Sequence, residues 1–207
     1  MNSKMHISKK RRQGGYTIVE LGIALTIVAV LIISGLVGVN AVLASTKAND
    51  QISASGQTIA RLQNIVSTSA DLTGLDTQRA IGLSVFPRNR VNAARTAVNG
   101  VFSGGSEFIA TNAAAIAGLG ADIPANRAGF YVIHNIPRAV CSEVALALAP
   151  LVDSAWVNVT PNPQAAIAAA PVAANQIKNN GGAVAPIAVS RTCDAAALSS
   201  LQLLIRP

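Results

Sequence analysis

Residues 11–46 read RRQGGYTIVELGIALTIVAVLIISGLVGVNAVLAST, and this stretch governs the first part of the architecture. No charged residue occurs from Leu21 to Thr46. A helix over these 26 residues would rise about 39 Å, whereas the hydrocarbon core of a bilayer is about 30 Å thick. A cleaved secretory signal fits poorly, because its apolar region usually has only about 7–15 residues. The sequence therefore predicts a membrane-spanning helix over residues 21–46.

Positive charge precedes this helix. Of the 207 residues, 16 are basic and 9 are acidic, which gives a formal net charge of +7. The first fifteen positions hold no acidic residue and five of the basic ones: Lys4, Lys9, Lys10, Arg11 and Arg12. The positive-inside rule then places the N-terminus in the cytoplasm and the rest of the chain on the other side of the membrane.

The rest of the chain is apolar and nearly neutral. A composition with 51% hydrophobic and 12% charged residues argues against disorder. Beyond residue 15 there are 11 basic and 9 acidic side chains, so the charge does not indicate a nucleic-acid-binding domain. We therefore expect no specific nucleic-acid partner, and we favour a solvated loop over an anion site for Arg88, Arg90 and Arg95.

A single carboxylate lies at the edge of the apolar run. Glu20 directly precedes Leu21, and an unpaired carboxylate in lipid is costly unless it finds a partner or reaches the interface. An acidic residue at the start of a helix also complements the helix dipole. Taken alone, the position of Glu20 fits both interpretations.

Residues 11–21 resemble the processing site of type IV prepilins. In that family a short basic leader ends in Gly, followed by a bulky residue, three mostly apolar or hydroxyl residues, and Glu. Here Gly15 matches the residue before the cut, Tyr16 takes the place where Phe or Met is commoner, and Glu20 matches the family's Glu. A double-glycine leader at Gly14 and Gly15 is the alternative, but such exported peptides are short.

The resemblance implies how this region is used. It implies cleavage after Gly15 by a membrane-embedded prepilin peptidase, followed by methylation of the new amine of Tyr16. In a filament of such subunits, Glu20 would pair with the Tyr16 ammonium of a neighbouring subunit, which gives each buried charge a partner.

The predicted organisation has three parts. Residues 1–15 form a cleaved basic leader, residues 16–69 a long helix, and residues 70–207 a globular head. The helix is expected to run from Thr17 to near Ser69, because Ile52, Ile59, Leu62 and Val66 recur at helical spacing. The resemblance implies that the second half of this helix lies against the head.

Elements of the head are predicted from local patterns. Alternation over residues 130–136 predicts a strand, and Pro137 begins a helix that ends before Pro150. Further strands are predicted over residues 155–160, 184–189 and 199–205, the second at a sheet edge because it contains Pro186. We also predict a helix over residues 89–98, a loop near Gly104, and a partly helical or irregular tract over residues 164–175. These elements predict an α+β fold with an antiparallel sheet, which the resemblance identifies as the type IV pilin fold.

Two cysteines, Cys141 and Cys193, lie on the exported side. An even number in an oxidising compartment favours one disulfide, with two free buried thiols as the alternative. The family is similar in this respect, since a C-terminal disulfide frames its variable region. A strand, then Ile-Pro, then a helix with the first cysteine looks like the type b subclass.

Patterns typical of catalysis or metal binding are missing from the sequence. A nucleophilic Cys141 with His134 as its base would have no obvious third member, and Cys141 is better explained by a disulfide. HExxH, GxSxG, P-loop and CxxC motifs do not occur. We therefore expect a non-enzymatic protein without a cofactor or metal.

The resemblance implies a structural subunit that polymerises into a bacterial type IV pilus of the type b kind. Its implied partners are other copies of itself, the prepilin peptidase/methylase, an inner-membrane assembly platform, and a receptor on a host or recipient cell in adhesion. The chain would lie in the inner membrane with a periplasmic head, and later in an extracellular pilus. A minor pilin or a type II secretion pseudopilin is the alternative. A single-pass membrane-anchored ligand-binding domain is an alternative of another class.

Overall fold

A computed structural model of the protein describes residues 17–112, 123–158 and 173–207. The chain divides into two compact units, Met1–Val42 and Leu43–Pro207. One helix, α1 (Ile18–Thr68), begins in the first unit and ends in the second. The helix predicted over Thr17 to near Ser69 is therefore present with almost the expected bounds.

Within the first unit, α1 is apolar and the hydroxyl groups on it are satisfied locally. Thr26 Oγ1 donates to the carbonyl of Ile23 at 2.8 Å, and Ser34 Oγ donates to the carbonyl of Val30 at 2.9 Å. Bonds of this kind remove the cost of placing a hydroxyl in an apolar environment. The only polar hydrogens of these two side chains thus need no partner outside the helix.

In the second unit, α1 buries one face. Ile59, Leu62 and Val66 are buried, and Ile52 packs against the same core. Gly129 lies close to this face: a Cβ atom placed on it would lie 3.2 Å from Val66 Cγ2. The absence of a side chain at Gly129 therefore lets the sheet approach the helix. The periodicity of the apolar residues predicted this face correctly.

The head contains a six-stranded antiparallel sheet. Its strands are β1 (Val98–Asn99), β2 (Ser106–Thr111), β3 (Gly129–Pro137), β4 (Ser154–Asn158), β5 (Gln176–Lys178) and β6 (Leu198–Ile205). Their order across the sheet is β1-β2-β3-β6-β4-β5, and each neighbouring pair is antiparallel. The predicted α+β fold, with a long N-terminal helix and an antiparallel sheet, is confirmed.

The two faces of the sheet bury different clusters. Tyr131 on β3 lies opposite Ile109 on one side and Leu203 on the other, and all three belong to the main core with α1. The alternate residues Phe130 and Leu204 belong to a smaller cluster, as the two-residue period of strands requires. The sheet is therefore covered on both faces along its centre.

Three shorter helices complete the described part of the head. They are α2 (Thr77–Gly82), α3 (Arg138–Leu148) and α4 (Pro186–Asp194). Asp76 caps α2 by accepting a 2.8 Å hydrogen bond from the Arg79 amide. The predicted helix after Pro137 corresponds to α3, and its buried residues include Val140, Val144 and Leu148.

Two predicted elements are wrong. The helix predicted over residues 89–98 is instead a 3-10 turn, Arg88–Arg90, followed by a loop. Asn92 Oδ1 accepts from the amides of Thr96 and Ala97 at 2.8 and 3.1 Å, which favours a closed loop over a helix. The edge strand predicted over residues 184–189 is instead the first part of α4. Pro186 occupies the first turn of that helix, where its missing N–H costs nothing.

The remaining predicted elements are present or fall partly outside the described residues. The strand predicted over residues 155–160 is β4, which ends at Asn158, and residues 159–160 are not described. The tract predicted over residues 164–175 is described only from Ala173 to Asn175, where it forms a 3-10 turn. The strand predicted over residues 199–205 is β6.

Candidate functional site

The carboxylate of Glu20 lies in the first turn of α1. Thr17 precedes the helix, and Thr17 Oγ1 accepts a 3.2 Å hydrogen bond from the Glu20 amide. Thr followed three residues later by Glu is the spacing of a capping box, which fixes the start of a helix. The predicted processing junction between Gly15 and Tyr16 lies outside the described residues. Thr17 therefore caps the start of α1, a role that the resemblance to type IV prepilins did not indicate.

The carboxylate of Glu20 is exposed to solvent. Over residues 17–112, 123–158 and 173–207, the ion pairs join Arg90 to Glu107, Arg138 to Asp194 and Arg206 to Asp153, and none includes Glu20. In an apolar environment, the counter-charge for Glu20 would have to come from residues outside the described ranges or from another molecule.

Around Glu20, α1 exposes an unusual amount of apolar surface. The large hydrophobic residues at least half exposed on this helix are Ile18, Val19, Leu21, Ile23, Leu25, Ile27, Val28, Val30, Leu31, Ile32, Ile33, Leu36, Val39, Val42 and Leu43. By length and composition, α1 can cross a membrane. An apolar surface of this size on a soluble chain marks a site of contact with lipid or protein.

A disulfide between Cys141 and Cys193 joins α3 to α4. The two Cα atoms are 5.7 Å apart across a sequence separation of 52 residues, and both side chains are buried. The bridge excludes a Cys141 thiolate, so His134 on β3 has no nucleophile at that position to activate. The cysteines therefore act in the structure of the head.

A buried polar cluster, which we call the Glu107 cluster, lies between α1 and the sheet. It consists of Gln51, Ser55, Arg90, Glu107 and Tyr131. Arg90 Nη1 lies 2.7 Å from Glu107 Oε1, and Arg90 Nη2 donates to Gln51 Oε1 at 3.0 Å. Gln51 Nε2 donates to Glu107 Oε1 at 2.9 Å and to Ser55 Oγ at 2.8 Å. The ion pair is thus tied to α1 through Gln51.

The tyrosine of this cluster completes the set of bonds to the carboxylate. Tyr131 Oη donates to Glu107 Oε2 at 2.8 Å and lies 3.0 Å from Ser55 Oγ. Burial, and the nearby negative charge of Glu107, raise the pKa of Tyr131 well above its usual range near 10. Tyr131 therefore stays protonated as a hydrogen-bond donor at neutral pH, and both oxygens of Glu107 have partners.

No sequence pattern predicted this cluster, and the prediction that Arg90 lies in a solvated loop is wrong. Arg90 lies in the 3-10 turn with its side chain 8% exposed, whereas Arg88 and Arg95 are exposed as expected. A signal was present in the sequence, because Glu107 is the first acidic residue after Asp76 in a stretch with four arginines. The sequence does not indicate which of these arginines is buried beside Glu107.

Across the described ranges of the chain, no cluster of three or more His, Cys, Asp or Glu side chains has an arrangement that could hold a metal ion. In the Glu107 cluster an arginine already neutralises the carboxylate.

The chain is similar in structure to TcpA, a type IV pilin from Vibrio cholerae El Tor biotype, as seen in a crystal structure. The TM-score is 0.45 and the sequence identity is 13%, with 75% of this chain and 98% of that chain covered. No protein-family model matches the sequence, and no curated protein matches it. The described residues of this chain have the element order that the sequence resemblance implies: a long N-terminal helix, an antiparallel sheet and a C-terminal disulfide.

Proposed function

We propose that the chain is a structural subunit that polymerises into a bacterial type IV pilus of the type b kind. In this proposal residues 1–15 are removed after Gly15, the amine of Tyr16 is methylated, and the processed chain acts by assembling, without catalysis. The observation that carries the proposal is Glu20, an exposed carboxylate in the first turn of an exposed apolar helix, five residues after Gly15.

Assembly would satisfy both unusual features of α1. Packing α1 against copies of itself would remove the apolar side chains of residues 18–43 from water or lipid. It would also bring the Glu20 carboxylate to the Tyr16 ammonium of a neighbouring subunit, so that neither charge is buried alone. Lipid alone satisfies the apolar side chains but gives Glu20 no partner.

The proposal includes a route and a set of partners. Before assembly, α1 holds the chain in the inner membrane with a cytoplasmic N-terminus and a periplasmic head. The prepilin peptidase/methylase acts on Gly15 and Tyr16, and an inner-membrane assembly platform then moves the subunit into the extracellular pilus. A receptor on a host or recipient cell would be the partner of the finished filament in adhesion.

Two other functions make different predictions. A minor pilin or type II secretion pseudopilin would be processed in the same way but would be scarce in filaments. A single-pass membrane-anchored ligand-binding domain would need neither cleavage after Gly15 nor an acidic residue at position 20. The two features thus separate an assembling subunit from a plain anchor.

Mass spectrometry of sheared surface filaments tests the proposal directly. We expect this chain to be their most abundant protein, and its N-terminal peptide to begin at N-methylated Tyr16. Filaments that contain the chain only in trace amounts would favour a minor pilin. A membrane-bound chain that retains residues 1–15 and is absent from the filaments would contradict the proposal.

A further inference from the structure

A cleft in the head has no part in the proposed assembly. It lies beside the Glu107 cluster, because Phe86 lines the cleft and its ring centroid is 6.2 Å from that of Tyr131. Its volume is about 330 Å³, which is within the range of small-molecule sites. The residues that line it are Ile81, Ser84, Phe86, Arg88, Val91, Asn92 and Arg95. We call it the Arg88–Arg95 cleft.

The lining combines an apolar base with a polar margin. Ile81 and Phe86 are buried and Val91 is half-buried, whereas Arg88 and Arg95 are exposed. A ligand in the cleft would therefore place an apolar surface against the base and a charged group near the two guanidinium groups. Sites for small molecules commonly have this division between apolar contact and a few orienting polar groups.

The positive charge of the cleft is uncompensated within the described chain. The ion pairs of residues 17–112, 123–158 and 173–207 involve neither Arg88 nor Arg95. No acidic residue occurs in residues 77–106, and the carboxylate of Glu107 is already bonded to Arg90. Two cations on a low-dielectric wall raise the local concentration of anions.

The loop that carries Arg95 is fixed by its own hydrogen bonds. Asn92 Oδ1 accepts from the amides of Thr96 and Ala97, and the Arg95 amide donates to the Asn92 carbonyl at 2.9 Å. Asn92 Nδ2 donates one N–H to Thr96 Oγ1, and among the described residues none accepts from its second N–H, which a ligand could therefore use. A ligand would therefore meet a loop that is already ordered, which lowers the entropic cost of binding.

The other wall of the cleft is also held in place. Arg61 on α1 donates from Nη1 to the carbonyl of Ser84 at 2.8 Å. Arg90, between Arg88 and Asn92, is anchored inside the head by Glu107. Both walls are thus tied to α1 or to the core, while the hydroxyl of Ser84 remains on the exposed side.

We propose that the Arg88–Arg95 cleft binds a sugar acid of monosaccharide size, either free or at the end of a glycan. The carboxylate of such a ligand would accept hydrogen bonds from the guanidinium groups of Arg88 and Arg95. Its hydroxyl groups match Ser84 and the second N–H of Asn92, and its C–H face matches the apolar base. Inorganic phosphate or sulfate would satisfy the charge alone and leave the apolar base without contact.

Titration of the full-length protein in a non-ionic detergent tests this site. With glucuronate as the probe we expect saturable binding by calorimetry, and no binding of glucose, which lacks the carboxylate. Arg88→Gln and Arg95→Gln should each weaken binding about tenfold or more, because each removes hydrogen bonds to a charged group. Arg191→Gln, at an exposed arginine on α4, is the matched control and should leave binding unchanged.

Three outcomes would overturn the proposal. The first is no saturable binding of glucuronate, and the second is equal binding by wild type and the Arg88→Gln, Arg95→Gln double variant with an unchanged melting temperature. The third is competition by phosphate or sulfate at the same concentration as glucuronate, which indicates attraction of charge alone. A surface that carries an immobilised glycan ending in glucuronate distinguishes the two sources of the ligand. Retention of the protein on this surface indicates that the site binds the end of a glycan. Binding of glucuronate in solution without such retention indicates that the site binds the free acid. The filament proposal does not depend on any of these results.

Discussion

Arg90 Nη1 lies 2.7 Å from Glu107 Oε1, and this ion pair is closed off from solvent between α1 and the sheet. The two residues belong to different elements, the 3-10 turn Arg88–Arg90 and β2. Gln51 on α1 bonds to both of them. The position of the loop before β1 is thereby coupled to the helix, and each member of the pair depends on the other for its charge compensation.

Replacing Glu107 with Gln should destabilise the head strongly. The change leaves the Arg90 guanidinium buried without a counter-charge, and breaking a buried pair from one side costs about 3–5 kcal/mol in unfolding free energy. Denaturant unfolding of the full-length protein, followed by the fluorescence of Trp156, measures this loss. Arg138→Gln is the matched control, because the Arg138–Asp194 pair is 58% exposed on both sides and should contribute about 0–1 kcal/mol. Equal losses for the two variants would contradict the prediction.

Tyr131 should make the stability of the head fall at alkaline pH. Its pKa is raised in the folded state by burial, so above about pH 10 the unfolded chain loses the phenol proton while the folded chain retains it. The folded state then binds more protons than the unfolded state, and the free energy of unfolding decreases as the pH rises. Tyr131→Phe removes this dependence.

The comparison between wild type and Tyr131→Phe separates this effect from other alkaline titrations. The variant should be less stable at pH 7 by about 1.5–3 kcal/mol, because the hydrogen bond to the Glu107 carboxylate is lost. The difference between the two proteins should narrow as the pH passes the phenol pKa of the unfolded chain. A difference that stays constant from pH 7 to the alkaline limit would show that Tyr131 does not titrate abnormally.

Removal of the disulfide should destabilise the head without affecting the apolar first part of α1. Cys141→Ser breaks the link between α3 and α4, and loss of such a bridge typically costs about 2–4 kcal/mol. Cys193→Ser should cost a similar amount, and the double variant little more, since all three lack the same bond. Alkylation of the exported wild-type protein under denaturing, non-reducing conditions should label neither cysteine. Labelling of both would show that the bridge does not form.

The carboxylate of Glu20 should be needed for filaments and not for insertion. Glu20→Ala removes a charge from the edge of an apolar helix, so membrane insertion should not decrease. In the proposed filament the Tyr16 ammonium would lose its counter-charge, at a cost of about 3–5 kcal/mol for each added subunit. We expect processed, membrane-resident protein with few or no filaments in electron micrographs of the cell surface.

A matched control exists on the same helix. Asp50→Ala removes an exposed carboxylate from α1 beyond the uncharged segment, and filament number should stay close to that of wild type. Normal filament numbers in Glu20→Ala cells, at normal subunit levels, would refute the pairing role of Glu20.

The sequence predicted an element correctly where its pattern of apolar and polar residues was long and clear. The alternation around Tyr131 and the apolar face of α1 with Ile59 and Leu62 are long enough to be unambiguous, and both are present. Strands β1 and β5 have two and three residues, which is too short for a period to show. Over residues 184–189 the apolar residues Val184 and Val189 favoured a strand, whereas Pro186 begins the helix α4.

The candidate site likewise has a part that local sequence patterns predict and a part that depends on the tertiary fold. The placement of Glu20 at the start of an apolar helix is a local property, and the sequence alone predicted it. The Glu107 cluster is a tertiary property, because it depends on the sheet bringing Glu107 beside Tyr131 and on α1 supplying Gln51. Nothing local to Arg90 distinguishes it from Arg88 two positions earlier, which points outward.

The position of β6 has a consequence for how the head is made. This strand follows all the others in the chain, yet it lies between β3 and β4 in the sheet. A chain that leaves the membrane in sequence order, with α1 inserted first, therefore presents two unpaired strand edges until residues 198–205 have crossed. Such edges invite pairing with other chains, so on the proposed export route the interval before β6 arrives is when the chain most needs a chaperone. A block of translocation just before β6 should accordingly produce aggregates rather than a partly folded monomer.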